Sequence, residues 1–382
     1  MAQHKIAIFC LSLSALALGL SSYMTAGLIP LISKDFSVKI GLAAQLVTAF
    51  TLPYGLLSPV FVGMTGRRDL KKNICLYLAI FIISNELSIL APEFISLMIL
   101  RAIAGVSAGA FLACGITAST RLSSSAKKGK SISTIMAGMA VGTVFGVPAS
   151  LIVAEYFGWR SAISIVSILG AVAWLGLFFS LPRLPATAQT HDKSRFSLIA
   201  DWSVVRVLLI SLFAAVASLG MYTFLAPFVT AVQENAHVTM YLWFWGVGGV
   251  CGSILIGYVV DVYDLKKILF FILSLLFIAF LAVFVFSKID LILIALPLII
   301  WGAVGWALQV PQNNELLKLR EQSGDGNLAV GLNQSSVYLG GSLGSILGGI
   351  LVSFGVNPSS LPLYYMLPII ISILLLVVRR KS

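Results

Sequence analysis

A chain of 382 residues could hold two soluble domains on length alone, but 59% of its residues are hydrophobic and only 10% are charged. Soluble domains carry about 25% charged residues, so this chain cannot build a water-facing surface, and lipid must cover most of its exterior. The net charge of +11 would suit nucleic acid in a soluble protein, and its placement along this chain excludes that partner. A spanning helix needs about 20 mostly apolar residues. Such runs fall near 6–30, 41–63, 73–91, 94–118, 131–155, 161–181, 204–230, 239–261, 267–286, 291–315, 328–354 and 362–378. The first is too long for a signal peptide and is followed by eleven similar runs, so it reads as a span.

The polar breaks between these runs set the orientation. With Lys5 placed in the cytoplasm, the breaks on that side hold 20 of the 25 Lys and Arg, and the opposite side holds only Lys34, Lys39, Arg160 and Lys288. This positive-inside bias puts both termini in the cytoplasm and requires an even number of spans. The longest break, 182–203, contains Pro-Arg-Leu-Pro-Ala-Thr-Ala-Gln-Thr-His-Asp-Lys-Ser-Arg and reads as a linker. The expected organisation is therefore a bundle over 1–181, a cytoplasmic linker over 182–203 and a second bundle over 204–382.

The two halves repeat. Asp69-Leu70-Lys71-Lys72 follows the second run and Asp264-Leu265-Lys266-Lys267 follows the eighth, 195 residues later. Gly138, Gly142 and Gly146 recur at four-residue spacing in the fifth run, and Gly340, Gly344 and Gly348 do so in the eleventh. A repeat that preserves span count and sidedness is a parallel repeat about an axis along the membrane normal, which is a transporter architecture. The expected fold is an all-α integral membrane protein, twelve transmembrane helices in two parallel six-helix repeats.

Several residues invite two readings. The basic loops anchor the chain by the positive-inside rule; alternatively Asp69, Asp261 and Asp264, with Lys71, Lys72, Lys266 and Lys267, form a latch that holds one conformation. Arg101 lies about seven residues into the fourth run, where an unpaired charge costs at least a few kcal/mol, so it is a functional candidate unless it snorkels to the interface. Glu86 lies in the outer half of the third run, either as a protonatable coupling group raised by desolvation or as an interfacial residue. Glu155 closes the fifth run and is expected to pair with Arg160. The glycine series permits close helix contact, and Pro148 can kink the fifth span; together they are expected to form a hinge-like seam between halves. Cys10, Cys75, Cys114 and Cys251 have neither disulfide nor zinc spacing. His4, His191 and His237 lie in the tail and loops, and there is no phosphate-binding Gly-x-x-x-x-Gly-Lys-Ser/Thr loop. No enzyme chemistry, metal or cofactor is expected.

The loops Gly63-Met-Thr-Gly-Arg-Arg-Asp-Leu-Lys-Lys72 and Gly257-Tyr-Val-Val-Asp-Val-Tyr-Asp-Leu-Lys-Lys267 resemble the loop motif of the major facilitator superfamily. Arg101-Ala-Ile-Ala-Gly105-Val-Ser-Ala-Gly109 is similar to its fourth-helix motif, and Gly138-Met-Ala-Val-Gly142-Thr-Val-Phe-Gly146-Val-Pro148 to the fifth-helix motif of its antiporters. Ala26-Gly-Leu-Ile-Pro30, Phe157-Gly-Trp-Arg160 and Asn333-Gln-Ser-Ser-Val-Tyr-Leu-Gly340 extend the likeness to the twelve-span drug:proton antiporter branch with its sugar-efflux and purine-efflux relatives. Two departures stand out. Gly66 occupies the place of the first loop's acid, and Ser22-Tyr23 stands where several drug exporters have a first-span Glu.

The resemblance implies a proton-coupled exporter of small hydrophobic or heteroaromatic compounds, working by alternating access. It is expected in a plasma or inner membrane of a bacterial type, as a monomer, with a small molecule and a proton as partners. Efflux of a purine, nucleoside or sugar is the alternative, and a non-transporting sensor or scaffold on the same fold a second. It implies a proton-coupling role for Arg101, and Glu86 and Glu155, by their position in the spans, are the carboxylate candidates beside it. It also places the cavity among spans 1, 4, 7 and 10, with Tyr23, Gln45, Tyr54, Tyr222, Trp243, Trp306, Gln309, Asn333 and Tyr338 as wall candidates that suit a flat, weakly polar ligand.

Overall fold

The computed structural model describes residues 2–65, 69–124, 128–185, 198, 200–260, 262–323 and 326–377. Lipid offers no partner to a bare N–H or C=O, so spanning segments must satisfy their backbone internally. Among the described residues all regular structure is accordingly helical. Eleven helices are long and apolar enough to cross a bilayer. In chain order, with the second helix counted, they are the first span Gln3–Asp35, the third Leu70–Ile89, the fourth Phe94–Leu122, the fifth Lys130–Phe157 and the sixth Trp159–Ser180. The seventh to twelfth are Trp202–Thr223, Val238–Val259, Leu265–Phe286, Leu291–Leu319, Leu328–Ser353 and Pro358–Val377. The second span completes the twelve-helix fold. It is the shorter apolar stretch Ile40–Leu56, continued by Ser58–Thr65 and interrupted by turns at Ala44 and Leu57.

Three of the helix breaks share one cause. Helical segments end at Val144, Thr223 and Ala307, each four residues before a proline: Pro148, Pro227 and Pro311. A proline cannot donate to the carbonyl four residues back, and its ring crowds that carbonyl. Phe145, Phe224 and Leu308 form the resulting turns. Pro148 therefore breaks the fifth span one turn before itself.

The chain divides into two units, one of Met1–Val38 and Gln45–Gln189, the other of Lys39–Ala44 and Thr190–Ser382. The second unit thus includes a segment, Lys39–Ala44, that the sequence places in the first bundle. Its short helix lies on the eleventh span because Gly41 faces Gly349 and Ser353 without a side chain between them, and the Ser345 hydroxyl donates to Ala44 O at 3.0 Å. Of the expected linker, residues 186–197 and 199 lie outside the described residues. Its start is tied to the first unit, where Leu184 O accepts from Leu70 N and Pro185 O from Arg121 Nη1, both at 2.8 Å.

Each unit is held by two helix pairs in near backbone contact. In the first unit a Cβ added to Gly138 or Gly142 would fall on the carbonyls of Ser12 and Leu16, and one added to Gly146 would meet the Leu20 side chain. Gly105 meets Phe50 O, and Gly109 meets Ser58 and Tyr54 O. The second unit repeats the scheme, with Gly340 on Leu212 O, Gly344 on Val216 O, Gly248 on Ile299 O and Gly302 on Trp245 O. The seam made by Gly138, Gly142 and Gly146 is thus internal to the first unit, where it joins the fifth span to the first. A methyl group at Gly142 should lower the midpoint of thermal unfolding in detergent, by an overpacking penalty of about 1–3 kcal/mol. Gly331→Ala, where a Cβ meets nothing within 4 Å, should leave the midpoint unchanged or raise it. Equal midpoints for the two variants would contradict the packing argument.

Candidate functional site

Arg101 is fully buried. Its Nη1 donates to Ser21 Oγ at 2.9 Å and its Nη2 to Ser21 O at 2.5 Å. The Ser21 hydroxyl donates onward to Asn85 Oδ1 at 3.3 Å, and Asn85 Nδ2 donates to Phe81 O at 2.8 Å. Phe50 lies beneath the guanidinium, 4.6 Å from Cζ to the ring centroid, a favourable placement for a cation. The node joins the first, second, third and fourth spans. It contains no carboxylate, and Arg101 Nε has no hydrogen-bond partner among the described residues. Uncompensated buried charge is costly, so this residue is held against its own desolvation by one serine, one ring and the fold around them. Snorkelling to the interface is replaced by complete enclosure.

Among the described residues the second repeat has no such node. The glycine contacts pair Phe50 with Trp245 and Gly105 with Gly302, and the Asp-Leu-Lys-Lys register pairs Asn85 with Phe280. The same registers carry Arg101 onto Leu298 and Ser21 onto Met221, and Met221, Phe280 and Leu298 are all fully buried. What is polar and charged in one repeat is apolar in the other.

The second unit instead builds an aromatic cluster. Tyr222 lies 4.1 Å from Trp245, which stands 6.3 Å from both Trp301 and Trp306, and Phe280 meets Trp301 at 5.0 Å. Trp301 Nε1 donates to Ser218 Oγ at 2.9 Å. Towards the other end of the tenth and eleventh spans, Asn333 Nδ2 donates to Asn313 Oδ1 at 2.8 Å. Of the remaining wall candidates, Tyr338 is buried, while Gln309 and Trp243 are half-buried. In the first unit Tyr23 and Tyr54 are buried, with Tyr54 stacked on Phe50 at 6.3 Å, and Gln45 accepts from Thr48 Oγ1 at 3.0 Å.

The carboxylates lie elsewhere. Glu86 follows Asn85 but points to the exposed face of the third span, beside the exposed Ile83 and Leu87. Glu155 is exposed at the end of the fifth span. Arg160 forms an ion pair with Asp35, at 2.7 Å, an acid that the sequence did not single out. Asp35 also accepts from Trp159 Nε1 at 3.0 Å, and Arg160 Nε donates to Ile89 O at 3.1 Å. The repeated acids Asp69 and Asp264 are helix N-caps. Asp69 Oδ1 accepts from the amides of Lys71 and Lys72, and Asp264 Oδ1 from those of Lys266 and Lys267. The side chains of Lys72, Lys266 and Lys267 are exposed, and Lys71 Nζ lies 5.7 Å over Phe178. Asp261 lies outside the described residues.

Sequence reasoning passed over Ser21, Asn85, Asp35 and Gln312. Ser21 and Ser22 stand among apolar residues in the first span, and polar residues at such a place were the available signal for the Arg101 partner.

The Major Facilitator Superfamily profile matches residues 11–319. The inner membrane transport protein YdhP of Escherichia coli K12 is 27% identical over 361 residues, covering 93% of this chain and 91% of that protein. A chloramphenicol resistance protein of Streptomyces lividans is 26% identical over 260 residues, 66% of each chain. The crystal structure of a D-xylose-proton symporter superposes with a TM-score of 0.79 at 14% identity, covering 97% of this chain and 96% of that one, a likeness of fold. Ser21→Ala removes one of the two acceptors of the Arg101 guanidinium and should lower the unfolding midpoint by the equivalent of about 1–3 kcal/mol. An unchanged midpoint would show that the hydroxyl does not support the buried charge.

Proposed function

The chain belongs to the major facilitator superfamily, and on that premise we propose that it exports small, uncharged, heteroaromatic compounds by proton antiport and alternating access. The observation that carries this reading is the distribution of buried charge. Among the described residues Arg101 is the only charged side chain that is buried. A lipophilic cation entering the bundle would meet a positive charge and no enclosed carboxylate, which at low dielectric is strongly unfavourable. Neutral aromatic substrates avoid that repulsion and gain stacking on Tyr222, Trp245 and Trp306. The exporter-like motifs in the sequence, and the similarity to a chloramphenicol resistance protein, support the outward direction.

Coupling is assigned to Arg101 and Glu86. The two are linked through the third span, since Glu86 follows directly on the Asn85 that Ser21 joins to Arg101. Efflux into inverted vesicles, measured across a panel of neutral and cationic aromatic compounds, tests the reading. Neutral compounds should accumulate, a protonophore should abolish the accumulation, and Glu86→Gln should remove its dependence on pH. Accumulation that ignores the protonophore overturns the antiport reading, preference for cations overturns the charge argument, and unchanged pH dependence in Glu86→Gln removes that residue from the mechanism.

A further inference from the structure

The second unit contains a buried polar layer. Val207 of the seventh span, Leu316 of the tenth and Ala329 of the eleventh share one buried apolar cluster with Leu198 and Val204. The seventh and eleventh spans run in one direction and the tenth in the other. One helical turn outward from the cluster is therefore four residues on in the first two and four residues back in the third. Those positions are Ser211, Asn333 and Gln312, with exposures of 1%, 0% and 1%. Three helices thus place a polar side chain at one level, directly above a shared apolar floor.

Four atoms of this layer have no hydrogen-bond partner among the described residues: Ser211 Oγ, Asn333 Oδ1, and both Nε2 and Oε1 of Gln312. Asn333 Nδ2 donates to Asn313 Oδ1, at 2.8 Å, and the Asn333 oxygen has no donor among the described residues. A buried group without a partner forfeits the hydrogen bonds it had with water, so such a concentration calls for an occupant. The set is mixed. Gln312 Nε2 donates, Gln312 Oε1 and Asn333 Oδ1 accept, and the Ser211 hydroxyl does either. A cation would leave the Gln312 amide N–H groups unmet, and a single hydroxyl supplies one donor for two acceptors. A primary carboxamide carries the matching set: its carbonyl can accept from Gln312 Nε2 and Ser211 Oγ, and its two N–H groups can donate to Gln312 Oε1 and Asn333 Oδ1.

We infer that Ser211, Gln312 and Asn333 form a subsite for a carboxamide, or the equivalent donor–acceptor edge, of the transported molecule. This rests on the export reading and narrows its substrate class to aromatic amides. Trp306 stands six residues before Gln312, about 9 Å along the tenth span, and its Nε1 also lacks a partner among the described residues. The aromatic body of such a ligand would reach from the amide layer towards the cluster around Trp245.

The test uses the full-length chain in detergent and two probes of matched ring size, naphthalene-2-carboxamide and methyl 2-naphthoate, with binding read as a thermal shift. The carboxamide should half-saturate at a concentration about tenfold lower than the ester, the worth of one or two net hydrogen bonds. Gln312→Leu should abolish that preference, leaving the two probes with equal half-saturation. Ser211→Ala, a smaller change, should reduce the preference and reads the layer if the first variant does not fold. Equal half-saturation by the two probes, no binding of either, or a preference that survives both substitutions overturns the assignment; the last result would leave ordered water as the layer's only occupant. Failure of the export reading is seen separately, as absence of vesicle efflux for every compound tested.

Discussion

Close approach of paired helices, backbone against backbone, is the constraint on which the rest of the structure depends. Lipid gives little hydrophobic drive between helices, so association rests on contact area and polar interactions. Glycines at four-residue spacing allow that contact. Gly138 and Gly142 admit the carbonyls of the first span, and Gly340 and Gly344 admit those of the seventh. With the backbones fixed in this way, the breaks set by Pro148, Pro227 and Pro311 fall at defined levels and the side chains between the pairs have defined neighbours. Arg101 is enclosed because Gly105, one turn along the same helix, lies on Phe50 O and so brings the Phe50 ring under the guanidinium.

The two repeats use this common frame for different chemistry. In the first, Ser21, Asn85 and Arg101 make a charged node without a counter-ion. In the second, the matching positions are Met221, Phe280 and Leu298, and polarity appears at another level, in Ser211, Gln312 and Asn333, with an aromatic cluster between the spans beyond it. A duplicated fold relieves each copy of carrying both tasks. In the proposed mechanism the first repeat carries the fixed charge to which proton movement couples, and the second supplies the surfaces that recognise an uncharged aromatic molecule.

Much of the fold was legible because lipid imposes simple rules. The length of the apolar runs and the repeat of Asp-Leu-Lys-Lys were enough for the helix count and the two repeats. The second span was the hardest of the twelve, since turns at Ala44 and Leu57 divide it into pieces shorter than a bilayer crossing. The site was less legible. Arg101 was conspicuous as a charge inside an apolar run, but its partners Ser21 and Asn85 come from the first and third spans, and no local pattern ties them to it. Glu155 stood five residues from Arg160 and was the natural partner by sequence, while nothing in the sequence pointed to Asp35, which the folded chain brings to Arg160 from the end of the first span. Asp69 and Asp264 looked like parts of a latch because they recur with basic residues. Each caps the helix that follows it, a local task that any Asp before a helix can perform. Gln312 carried no signal, because one amide among Gln309, Gln312, Asn313 and Asn314 is indistinguishable from the next until burial is known.

The division of labour between the repeats is most directly tested by comparing substrate exchange with proton-driven accumulation in proteoliposomes carrying Arg101→Gln. Exchange requires binding and conformational change but no net proton movement. The account predicts that exchange is retained while accumulation driven by an imposed pH gradient is lost. Loss of both together, or retention of both, would contradict the assignment of coupling to the buried arginine.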